Sequence, residues 1–136
     1  MSPSTALAQS VNTTFADLAF LDAEPDHVRP GLPKPGQVIA IEFLHPLNGF
    51  LIDHLTAATK QVIIENIHGV GWEELSGSQI DDCLMEVVNV LAGNFLSLVV
   101  TGPEKHALSL PRVLYDESTF AASDDRGEFY FTVHDE

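Results

Sequence analysis

The chain has 136 residues, room for one domain of ordinary size and too few for two with separate large cores. Apolar residues make up 45%, enough for a core and too many for wholesale disorder. Six lysines and arginines against 20 acidic residues give a formal charge of -14. That balance argues against nucleic acid and against an anionic membrane surface, since both are met with basic side chains.

The single cysteine, Cys83, excludes an intrachain disulfide and a cysteine-rich zinc site. Met1 to Ser10 has neither a basic start nor an apolar run. Uninterrupted apolar runs stay far below the roughly 20 residues of a membrane helix. A soluble cytoplasmic domain with no membrane contact is the expectation.

Residues 1–9 read as a loose N-terminal tail and 10–136 as a single domain. Phe15, Leu18, Ala19 and Leu21 predict a short amphipathic helix over about 10–22. Glu24 to Gly36 reads as an irregular connector because it holds Pro25, Pro30, Pro33 and Pro35. Gln37 to Phe43 predicts a buried strand, and His45-Pro46-Leu47-Asn48-Gly49 a turn. Phe50 to Leu55 then pairs back to make a hairpin. Thr56 can cap a helix running to about Ile67, with Gly69 closing it.

Ser78, with Asp81 three positions on, marks the start of a further helix to about Leu98. Ala107 to Leu114 predicts a strand in which Pro111 favours an edge or bulge. Ser118 to Gly127 reads as polar loop and Glu128 to Val133 as a last strand. The fold class is α+β. A mostly antiparallel sheet packs with two long central helices, plus the N-terminal helix.

The informative segment is Asp81 to Leu98. On a helical wheel, Ile80, Leu84, Val87, Val88, Leu91, Phe95 and Leu98 form one apolar stripe. Asp82, Glu86, Asn89 and Gly93 fall opposite, at spacings that make them neighbours on one face. Met85, Val90 and Leu96 flank the stripe, and Gly93 leaves a flat spot. The helix contains no lysine or arginine. An acid and an amide framed by apolar side chains suit a docking surface. The same apolar flank also suits burial under a second helix or subunit.

Glu86-Val87-Val88-Asn89-Val90-Leu91-Ala92-Gly93-Asn94 resembles the E-x-x-N-x-x-x-G-N helix of the CheX and CheC chemotaxis phosphatases. The order of elements is similar over roughly residues 10–133. A single such helix is present, which resembles the single-site CheX type. The resemblance implies hydrolysis of the aspartyl phosphate of a CheY-like response-regulator receiver domain in two-component signalling. It implies two catalytic residues: Asn89, orienting the attacking water, and Glu86, pairing with a receiver lysine. It implies partner contacts by Asp82, Met85, Val90 and Gly93, no metal of the chain's own, Mg²⁺ supplied by the receiver, and a homodimer. Val90 stands where the family often has Met, which bears on fit rather than on the role of Asn89. The alternatives are a non-catalytic adaptor of the same fold that binds a receiver or an assembly, and an unrelated structural or oligomerising domain.

Other features carry less. Cys83 has no electropositive neighbour in sequence and reads as packed rather than reactive. The six histidines lack the spacing of a metal motif. Trp72 reads as a core plug or an interface anchor. Asp124-Asp125 reads as solvated surface.

Overall fold

A computed structural model of the chain describes residues 2–26, 36–100, 102, 105–114 and 130–135. Helix α1 spans Pro3–Ala19. Strand β1 is Leu21–Asp26, β2 is Gly36–His45 and β3 is Gly49–Thr56. Helix α2 is Ala57–His68, and α3 is Gly77–Val99 after a single 3-10 turn at Trp72–Glu74. Strands β4 (Ala107–Leu108), β5 (Arg112–Leu114) and β6 (Tyr130–Asp135) follow.

The expected helix starts seven residues earlier than the apolar pattern indicates. Ser2 accepts the backbone N–H of Thr5, and Pro3 occupies the first turn, where its missing N–H costs nothing. Residues 3–9 therefore belong to the domain rather than to a tail. At the other end Leu21 is in β1, not in the helix. Pro25 does not prevent regular structure. It lies in β1, antiparallel to β6 with Pro25 opposite Phe131. In a two-stranded ladder each strand keeps an open edge, which accommodates a residue without an N–H. Residues 27–35 and the expected loop at 118–127, with Asp124-Asp125, lie outside the described residues.

The second sheet is built on β2. It pairs with β3 on one side, Gly36 opposite Thr56 through Phe43 opposite Gly49. The expected strand at 107–114 is split in two by Pro111. The pieces β4 and β5 pair with β2 in succession, with a register shift between Phe43 and His45. Ser109 holds the break closed: Glu42 N–H donates to its hydroxyl and its own N–H donates to Glu42 C=O, each at 2.9 Å.

Helix α2 forms where its caps indicate. Thr56 accepts the N–H of Thr59, and Gly69 closes the helix at φ 72°, which glycine adopts without side-chain strain. Helix α3 starts two residues before Ser78. Ser76 and Gln79 form a reciprocal capping box, each side chain bonding the other's backbone N–H.

Two apolar clusters make the core, and α2 and α3 contribute to both. Ile63, Val87 and Leu91 pack with Val11, Phe15, Ala19, Leu21 and Ala23 of α1 and β1. Ile64, Leu84, Val88, Ala92 and Leu96 pack on Ile39, Ile41 and Phe43 of β2. Leu96, expected as a flank, is fully buried because the sheet reaches round to that side of the helix. Ile80, Phe95 and Leu98 of the expected stripe are only half-buried. By length and apolar content α3 meets the requirements of a membrane-crossing helix, which a count of uninterrupted runs misses. Here its apolar residues fill the two clusters. Trp72 packs against the sheet cluster, with the Lys60 ammonium 5.7 Å from its ring centre.

Candidate functional site

Because α3 packs on α1 along one side and on β2 along another, one strip of its surface is left outside. Asp82, Glu86 and Asn89 are exposed on that strip, and Gly93 is half-buried one turn beyond Asn89. A Cβ added at Gly93 would meet open space. Met85 and Val90 flank the strip, both half-buried. Among the described residues, Asp82, Glu86 and Asn89 form no hydrogen bond or ion pair, so their polar groups are available to a partner. Asn94, the last residue of the motif, turns the other way. Its amide donates to Thr14 Oγ1 of α1 at 2.9 Å, and Thr14 is fully buried. That bond ties α3 to α1 and fixes the rotation of α3 that presents Glu86 and Asn89.

Beside the strip lies a cavity of about 340 Å³. Its lining is Leu18, Ile67, His68 and Val87 with Gln79, Asp82, Cys83 and Glu86. The ends of three helices meet here. Asn66 secures the junction by donating its amide to Ala19 C=O at 2.8 Å. The C-terminal ends of α1 and α2, at Leu18 and at Ile67 and His68, present the negative ends of their dipoles. Glu86 therefore stands between the cavity and Asn89, roughly 60° round the helix from each side. Of the six residues singled out from the sequence, Asp82 and Glu86 line the cavity. Met85, Asn89, Val90 and Gly93 do not.

Leu18, Ile67, His68 and Gln79 have no signal in the sequence that joins them to Glu86. They come from three helices, and only the fold brings them together. Cys83 is half-buried against the sheet cluster and lines the cavity, and burial pushes its thiol pKa up. A raised pKa leaves little reactive thiolate, consistent with a packing role. Among the described residues, no group of three or more His, Cys, Asp or Glu side chains is placed to hold a metal ion.

Comparison with known proteins falls on this same architecture. Three solved structures share the fold. One is a chemotaxis protein CheX from Vibrio vulnificus, with TM-score 0.68 and 14% identity, covering 84% of this chain and 74% of that one. The second is a CheX from Desulfovibrio desulfuricans, with TM-score 0.68 and 12% identity over 98% of this chain and 83% of the other. The third is a chain of the CheX–CheY–BeF3–Mg²⁺ complex from Borrelia burgdorferi, with TM-score 0.65 and 14% identity over 97% and 87%. No curated protein sequence matches. The sequence matches the family described as chemotaxis phosphatase CheX over residues 38–134, from the start of β2 into β6, with the whole of α3 inside the match. The chain belongs to the CheX family of chemotaxis phosphatases.

Proposed function

We propose that this protein hydrolyses the aspartyl phosphate of a CheY-like receiver domain in a cytoplasmic two-component pathway, with Glu86 and Asn89 as its working residues. The observation that carries this reading is the pairing of an exposed acid and an exposed amide on the one strip of α3 outside both cores, in a chain of this family. The Borrelia neighbour, whose fold is shared, was solved with CheY, BeF3 and Mg²⁺.

The chemistry asks little of the protein beyond placement. An acyl phosphate is already activated, so the barrier falls when water is held in line with the leaving oxygen. The Asn89 side-chain oxygen accepts a hydrogen bond from that water and directs its lone pair at phosphorus. The water oxygen bonds to phosphorus as the bond to the aspartyl oxygen breaks. Inorganic phosphate leaves and the receiver carboxylate is restored. An amide does not titrate, so it performs this task across the neutral range. Glu86 pairs with a lysine of the receiver and sets the register of the two surfaces. Mg²⁺ bound by the receiver offsets charge on the phosphoryl oxygens. The working unit is a homodimer, to be read as twice the chain mass by light scattering.

The test is decay of phosphorylated receivers. Receiver domains of the same genome, phosphorylated with a small phosphodonor, are followed with and without the protein. Accelerated decay of at least one receiver, with Glu86→Ala weakening the interaction, supports the reading. Binding without acceleration across the panel replaces it with an adaptor. Neither binding nor acceleration removes the receiver altogether.

A further inference from the structure

Asp82 has no part in the chemistry above, yet it shares the cavity with Glu86. The walls there are apolar, from Leu18, Ile67 and Val87, while Asp82 and Glu86 supply negative charge at its edge. Nothing in the surrounding helices neutralises them. Helices α1 and α3 contain no lysine or arginine, and the one lysine of α2, Lys60, sits over the Trp72 ring and does not line the cavity. A volume of about 340 Å³ is near the low end of small-ligand sites, about 300–1,000 Å³, and suits one long side chain. Filling it with a purely apolar group would strip water from two carboxylates without a partner. An anion would be repelled. A side chain with an apolar stem and a cationic tip satisfies both walls and edge.

We propose that this cavity is a second docking point for the receiver. It takes a lysine or arginine side chain from the receiver surface, with Asp82 as its charge partner and Leu18, Ile67 and Val87 packing on its stem. This cation is distinct from the lysine that Glu86 meets at the reacting centre. The inference rests on the receiver reading, and it makes Asp82 a specificity residue. Different receivers are then discriminated by whether they carry a basic side chain at that point. The charge of -14 on the whole chain favours the same partner polarity and speeds encounter.

The experiment uses the full chain and receiver domains of the same genome held in the active form with beryllofluoride and Mg²⁺. Asp82→Asn is expected to weaken binding about tenfold and to flatten its salt dependence, with the loss in turnover falling on KM rather than kcat. Cys83→Phe, which projects into the cavity, is expected to weaken binding similarly while Asp82 is intact. A charge swap, Asp82→Lys with the receiver's basic residue changed to Glu, is expected to recover affinity. If wild type dephosphorylates a receiver and Asp82→Asn does so with the same KM and salt dependence, the docking point is refuted while the phosphatase reading stands. If wild type binds no receiver, both fall together.

Discussion

Asp53 offers a quantitative test of how this fold handles a charge. It lies on β3 between Leu51 and Leu55, two residues that pack on the core, and opposite the fully buried Ile39. Strand alternation puts it on the same inward face. Among the described residues it has no hydrogen-bond or ion-pair partner. Burial pushes its pKa from an ordinary 3.8 to about 7. The unfolded chain releases this proton near 3.8 and the folded chain only near 7, so the folded state binds more protons in between. Stability must fall as pH rises across that window and level off above it. A shift of about three units corresponds to a ceiling of about 4 kcal/mol. Asp53 retains some exposure at an edge strand, which brings the expected cost nearer about 2 kcal/mol. Asp53→Asn keeps the shape and removes the ionisation. In urea unfolding at pH 5, 6, 7 and 8, the variant should gain on wild type step by step, reaching about 2 kcal/mol at pH 8. A difference that does not change with pH, or a variant less stable than wild type at pH 8, would refute the reasoning.

Three further outcomes follow from the packing. Leu84→Ala, at a fully buried position of the sheet cluster, should cost about 2–5 kcal/mol in urea unfolding. Asn94→Ala should cost about 1–3 kcal/mol by removing the amide partner of the buried Thr14 hydroxyl. It should also lower turnover, because the rotation of α3 is no longer fixed, whereas a purely structural role would leave the folded fraction fully active. Gly93→Ala should raise the melting temperature, since a helical glycine costs about 1 kcal/mol relative to alanine and its Cβ would enter open space. The same change should weaken receiver binding if the flat spot beside Asn89 is met by the partner, which titration of beryllofluoride-loaded receiver reads directly.

Much of the site was legible because α3 is long and strongly periodic. The strip of Asp82, Glu86 and Asn89 follows from the wheel alone, and the hairpin and α2 follow from their turn and capping residues. The errors have local causes. The first turns of α1 are rich in Ser, Thr and Ala, so the apolar pattern is faint until Val11, although Ser2-Pro3 is a readable start. Two serines two residues apart precede α3, and the one with glutamine three positions on is the cap. Pro25 is a strand breaker only where both edges are paired. Leu96 and the cavity depend on which helix ends meet, and contacts of α3 with the sheet and with residues 18 and 67–68 leave no mark in local sequence.

The central claim is that Asn89 acts on the reaction while Glu86 and its neighbours hold the receiver. The most direct measurement is single-turnover decay of a responsive phosphorylated receiver at saturating protein, comparing wild type with Asn89→Ala, alongside the affinity of each for the beryllofluoride form. The account predicts a rate loss of about 100-fold or more with nearly unchanged affinity. An Asn89→Ala protein that dephosphorylates at the wild-type rate once saturated would contradict it.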